Sequence, residues 1–200
     1  MAKVHPGATL TPHFRDFLPG WVARQPWYLG TGTPSLAPVG YFRLEDPAGQ
    51  VGIETHLVTD GTVLYQVPMT YRGTAVTDGA LAAAHALIAT AEHSVLGTRW
   101  IYDGEADPIW RSELLRLVAI SGVSDPSSKH GVGHAEARGH RLMPGNLTAD
   151  TVTIELCRVV TRHWPASEVG IAGVVIGTWY PDGPGTRVAT GRLAAVREKT

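Results

Sequence analysis

The stretch 62-TVLYQVPMTY-71 decides how this chain folds. Val63, Tyr65, Val67 and Met69 occupy every second position, so in an extended backbone they share one face, the pattern of a strand with one side on a core. Pro68 has no N–H to give to a ladder, which places the strand at an edge or a bulge at that point. Two similar runs stand upstream, 39-VGYFRLED-46 and 51-VGIETHLV-58, and the turn signals DPAG and TDG separate the three. Short Val-, Tyr- and Thr-rich runs punctuated in this way predict an antiparallel meander.

Helical patterns flank the meander. Leu10, Phe14, Phe17, Leu18, Trp21 and Val22 recur at helical spacing, with Thr11 as N-cap and Pro12 at the first helical position. Pro19-Gly20 is expected to kink or break this helix, and its aromatic stripe to lie in the core. Downstream, the alanine content of 80-ALAAAHALIATAEHSVLG-97 predicts a helix, 98-TRWIYD-103 a strand, and Asp107-Pro108 the start of a helix with Trp110, Leu114, Leu117 and Val118 on one face. The fold class is therefore α+β, a curved antiparallel sheet flanked by helices over residues 1–120. Residues 121–146 lose periodicity and collect Gly, Ser, Pro and His, as a linker or mobile loop does. A small β-rich segment, 147–200, follows, with strands expected in 151-TVTIELCRVV-160, 171-IAGVVIGTWY-180 and 186-TRVATGRLAAV-196.

A hydrophobic content of 44% with 18% charged residues is that of a folded soluble protein. A formal charge of -1 gives no broad field for a nucleic-acid backbone or an anionic membrane, so neither is an expected partner. The single cysteine, Cys157, has no internal disulfide partner, and the start MAKVHPGATL lacks the apolar core of a signal peptide. The expected location is cytoplasmic.

Three motifs stand in order: RQPWY at 24–28, DG…YQVP at 60–68 and YDGEADP at 102–108. Together they resemble the N-terminal cap domain of bacterial maltokinases and of the related glucosamine kinases. The chain also looks like short stand-alone cap-like proteins often labelled 1,4-α-glucan branching proteins. A branching enzyme's (β/α)₈ barrel takes about 250 residues, more than this chain has. In the family the cap precedes a kinase body that phosphorylates a sugar from ATP, in the metabolism that links trehalose to glycogen-like α-glucan. The resemblance therefore implies a partner, a full-length enzyme of that metabolism, or a small-sugar ligand.

The kinase chemistry itself is not legible. No G-x-x-x-x-G-K-[ST] occurs, no H-x-D loop followed by asparagine, and no D-F-G metal aspartate. The segment 151–160 resembles the kinase strand whose lysine holds ATP phosphates, but the best register puts Glu155 at that lysine and Arg158 at the motif's arginine, as in a degenerate kinase N-lobe. No catalytic residue and no cofactor is expected. The run 30-GTG-32 lacks a following lysine and helix, so it is no nucleotide loop.

Candidate ligand contacts are Arg24, Trp27, Tyr28 and Tyr102, groups able to stack on or bond to a sugar. The scaffold reading stands beside this one: Arg24 would pair with a carboxylate or lie on a ring, and Trp27 and Tyr28 would pack beneath the sheet. Asp103, Glu105 and Asp107 could form a glycosidase-like carboxylate pair, but a turn at Asp103-Gly104, a helix-end charge at Glu105 and an N-cap at Asp107 explain them locally. Glu54 and His56 share a strand face, His85 and His93 flank the alanine-rich stretch, and His130, His134 and His140 fall in the linker. None has the spacing of a metal site.

Overall fold

The structure, a computed structural model, describes residues 5, 7–83, 85–126, 135–161, 170–182 and 186–199. The chain runs β1 (Leu10–Thr11), α1 (Phe14–Val22), β2 (Ala37–Glu45), β3 (Gly52–Thr59), β4 (Leu64–Arg72), β5 (Leu87–His93), β6 (Gly97–Asp103), α2 (Pro108–Ala119), β7 (Asp125–Pro126), β8 (Ala135–Arg141), β9 (Val152–Leu156), β10 (Ile171–Trp179) and β11 (Ala189–Glu198). One antiparallel sheet has the order β1-β5-β6-β4-β3-β2-β7 and a second the order β8-β10-β11-β9. The expected meander is β2–β3–β4, paired in sequence. No helix is long and apolar enough to cross a membrane among the described residues.

β4 lies in the middle of the first sheet, not at its edge. The reading of Pro68 is corrected in a specific way. Along one flank β4 pairs with β3 throughout, but on the other it changes partner. Its first half bonds to residues 158–160, with the Gln66 N–H donating to the Arg158 carbonyl at 2.8 Å and the Val160 N–H to the Leu64 carbonyl at 2.8 Å. Its pairing with β6 begins only at Met69. Alternate N–H groups point the same way along a strand, so the N–H that Pro68 lacks would have faced the gap between the two partners.

The expected helix at 80–97 is a 3₁₀ turn, Ala80–Ala82, followed by β5. Alanine favours helix by only tenths of a kcal/mol per residue, whereas β5 hydrogen-bonds β6 on one side and β1 on the other and buries Ile88 and Ala91. Tertiary pairing outweighs propensity here and makes the protein mostly β, with two α-helices, where an α+β balance was expected. Nor does Pro19 break α1, which continues to Val22. His13, not Thr11, is its N-cap, in a reciprocal bond with Asp16.

Both faces of the first sheet are covered. On one, Phe14, Leu18, Trp21 and Val22 of α1 pack on Val58, Tyr65, Val67, Met69 and Ile101, so the aromatic stripe is core. On the other, Phe42, Leu44, Ile53 and Leu57 join a cluster with Trp110, Leu114, Leu117 and Val118 of α2 and with Ala137, Val175, Trp179, Leu193 and Val196 of the second sheet. α2 lies between the sheets and is apolar on more than one side. The supposed linker 121–146 carries β7 and β8. Its Gly139 has a packing reason: a Cβ there would lie 2.2 Å from the Leu117 carbonyl oxygen, so only glycine lets the α2 backbone settle on β8. In the sequence that glycine carries only a loop signal, because the contact is long-range. His130 and His134 lie outside the described residues, and His140 is on β8.

Candidate functional site

Gln66, Asp103 and Glu105 of the second and third motifs reach the segment that follows β9, and Trp27 of the first motif lies beside them. Gln66, 2% exposed, donates both hydrogens of its side-chain amide to the second half of the chain, to the Cys157 carbonyl at 3.1 Å and the Leu193 carbonyl at 2.8 Å. Its neighbour Tyr65 points to the other face. The Tyr65 hydroxyl donates to Asp60 at 3.1 Å and accepts the Leu29 N–H at 3.4 Å. The Asp60 carboxylate is held below its ordinary pKa, first by the Val63 N–H and then by the Thr62 N–H and Tyr65. Burial, reinforced by Asp60, raises the Tyr65 phenol.

Trp27 and Tyr28 lie on this tyrosine. Their ring centroids are 5.8 and 5.7 Å from that of Tyr65, and Trp27 is also 5.8 Å from Trp21. Both are half-buried against the α1 core. Arg24 neither pairs with a carboxylate nor stacks as expected: its guanidinium donates to the Gly20 carbonyl at 2.6 Å and closes the last turn of α1. Tyr102 sits apart, buried with Leu81 and Ala86, its hydroxyl accepting the Val76 N–H at 2.9 Å. Of the four candidates the structure brings together Trp27 and Tyr28, and leaves Arg24 and Tyr102 elsewhere.

Arg158 occupies the place beside Trp27. Its guanidinium carbon lies 5.2 Å from the indole centroid, Nη2 bonds Asp103 at 2.5 Å and Glu105 at 2.7 Å, and Nε bonds Glu105 at 3.1 Å. Its side chain is 8% exposed, against 14% for Asp103 and 42% for Glu105. Burial raises the Asp103 carboxyl pKa and the Arg158 charge opposes that rise. Asp103 also caps the 3₁₀ turn Gly104–Ala106. Gly104 fits there because a Cβ would stand 2.8 Å from Pro68 Cβ and 3.0 Å from the Trp110 ring.

Asp107, fully buried, caps α2 through the Ile109 N–H and takes a two-pronged bond from Arg72, Nε at 2.9 Å and Nη2 at 2.7 Å. The N-cap reading of Asp107 therefore holds, as does the turn at Asp103-Gly104, while Glu105 serves Arg158 instead of the helix end. Each carboxylate of 102-YDGEADP-108 is bound to an arginine. A glycosidase acid has to be able to give up a proton and its partner to reach substrate; here Asp103 and Glu105 share Arg158 and Asp107 holds Arg72, so all three are engaged within the scaffold. Glu155 faces outward from β9 in an ion pair with Arg197 at 2.7 Å. Burial raises the Cys157 thiol pKa, contrary to what a nucleophile needs. Among the described residues no group of three His, Cys, Asp or Glu could hold a metal. A cleft of about 320 Å³ borders the joint on the α2 side, lined by Glu105, Pro108, Arg111, Ser112 and Ala149.

Arg158 as the partner of Asp103 and Glu105, and Gln66 as a bridge, were not foreseen as a site. The motif YQVP was the available signal, since a glutamine amid strand apolars needs partners when buried.

The joint takes Trp27, Tyr65, Gln66, Asp103 and Glu105 from one stretch of the chain, and Arg158 from outside it. Residues 21–107 match the maltokinase N-terminal cap domain family. The match starts inside α1, includes β2–β6, and ends at the N-cap of α2, less than half of the 200 residues. All three motifs fall within the cap match apart from Pro108, which lies one residue past its end. α2 and the second sheet lie beyond it. No curated protein matches the chain.

Proposed function

We propose that this protein is a non-catalytic cap-type module of trehalose and α-glucan metabolism that acts through a full-length enzyme of that metabolism. The observation behind the reading is the Arg158 joint. The motif carboxylates, the groups from which acid–base chemistry would be built, are engaged by Arg158 and Arg72, and the two Arg158 pairs tie the segment that follows β9 to the cap segment. Where a maltokinase cap leads into a kinase body, this cap segment leads into a four-stranded sheet, which we read as a reduced kinase N-lobe whose lysine position is held by Glu155 in a surface ion pair. A cytoplasmic location accords with that role.

The test has two arms. With Mg-ATP and maltose, glucosamine or glucose, the purified protein transfers no phosphate above background. Added to a full-length maltokinase, it changes that enzyme's kcat or KM in a saturable way. Turnover by the protein alone that disappears in Asp103→Asn would overturn the reading, and so would a lack of effect on every enzyme of the pathway. A second reading, a sugar-binding module, draws support from half-buried Trp27 and Tyr28 next to the partly exposed carboxylate of Glu105, since carbohydrate sites combine an aromatic platform with planar polar groups.

A further inference from the structure

The N-terminal strand is fastened to the β5–β6 hairpin at one histidine. His93 ends β5, and its Nδ1 accepts the N–H groups of Val95 and Leu96, each at 3.2 Å, so the imidazole closes the turn. β1 pairs at the same place, Leu10 opposite His93 and Thr11 opposite Glu92. The Ser94 N–H donates to the Thr9 carbonyl at 3.0 Å, and the Thr9 N–H donates to the Ser94 hydroxyl at 3.0 Å. The His5 ring meets the His93 ring edge-on at 5.8 Å. β1 has two residues and depends on this turn.

We propose that His93 is an acid-operated catch that holds β1 on the β5–β6 hairpin. An Nδ1 that accepts two N–H groups carries no proton, so the neutral ring keeps its proton on Nε2. Protonation places a third donor against Val95 and Leu96 and abolishes both bonds. Arg99 from β6 brings a cation to the turn by donating to the Leu96 carbonyl, and the His5 ring lies against the His93 ring from the N-terminal side. Glu92, the adjacent carboxylate on β5, is engaged by the Thr98 hydroxyl at 2.5 Å. Opening the turn loosens Ser94, and with it the bonds to Thr9 and the pairing of Leu10.

Amide hydrogen exchange on the full chain, corrected for intrinsic rates, tests this between about pH 7.5 and about pH 5.5, the range in which a histidine changes charge. Exchange at Val95, Leu96 and Ser94 is expected to rise about ten-fold on acidification, the effect of losing a net hydrogen bond or two, while Leu57 and Val67 stay protected. In His93→Asn the side-chain carbonyl accepts the same N–H groups at either pH, as asparagine does in turns, so protection persists and the pH response disappears. In His93→Ala the turn exchanges fast at both pH values. Wild-type protection that is unchanged while His93 titrates would overturn the proposal. A pH response in His93→Asn equal to that of wild type would overturn it as well, and that variant together with the wild-type titration decides the matter even if His93→Ala does not fold.

Discussion

Replacing Arg158 with alanine removes the cation that Asp103 and Glu105 share. Glu105 is partly exposed and regains water, but Asp103 is left as a mostly buried carboxylate without a counter-ion. Breaking a buried pair from one side costs about 3–5 kcal/mol, and the hydration of Glu105 places this case near the lower end, at about 3 kcal/mol. In a protein of this size that lowers Tm by about 6–12 °C. The sign of the pH dependence follows from Asp103. Its carboxyl is raised above the ordinary value in the folded protein, so its contribution to stability is full at low pH and is lost as pH rises through the raised pKa. Without Arg158 burial acts unopposed and the pKa climbs further. The deficit of Arg158→Ala should therefore shrink when thermal unfolding is followed at about pH 4.5 instead of about pH 7.5. A double-mutant cycle with Asp103→Ala should show a coupling of about 1–3 kcal/mol. A loss under about 1 kcal/mol, as exposed ion pairs give, or a deficit that does not change with pH, refutes the buried joint.

Trp27→Ala removes a ring that touches Trp21, Tyr65 and Arg158; half-buried, it should cost about 2–3 kcal/mol in chemical denaturation, below the value for a fully buried aromatic. A variant of wild-type stability that loses a saturable fluorescence response to maltose or trehalose would instead favour the sugar platform. Gly104→Ala forces a methyl against Pro68 and Trp110 and should lower stability by about 1–3 kcal/mol without changing the denaturant slope. A fragment of residues 1–120 leaves the α2 faces that pack on Ala137, Val175 and Leu193 uncovered, so it should lack a cooperative calorimetric transition; a two-state transition in that fragment would support a division into separate units at residues 121–146.

Much of the first sheet could be read from local pattern. The meander β2–β4, strand β6, the start of α2 at Asp107-Pro108 and the strands β10 and β11 all follow from apolar runs and turn residues within a few positions. What escaped was set by distant partners. β5 reads as a helix until β6 and β1 supply its hydrogen bonds, and β8, with glycine and charged residues, has no strand signature apart from its packing under α2. The joint shows the same division. Asp107 as a cap is visible in two residues, whereas Arg158 meets Asp103 and Glu105 across more than fifty positions, and Gln66 reaches Leu193 across 127. Single-sequence periodicity carries no information on such pairs.

The proposed role requires that the cap segment and its attached sheet form a scaffold without a nucleotide site. Calorimetric titration with Mg-ATP tests it most directly, since any working kinase lobe must hold the triphosphate and its metal. The expected result is no saturable heat up to about 1 mM nucleotide, weaker than about −4 kcal/mol of binding. Saturable binding in the micromolar range, lost on substitution of Glu155 or Arg158, would contradict the account and assign the second sheet to catalysis.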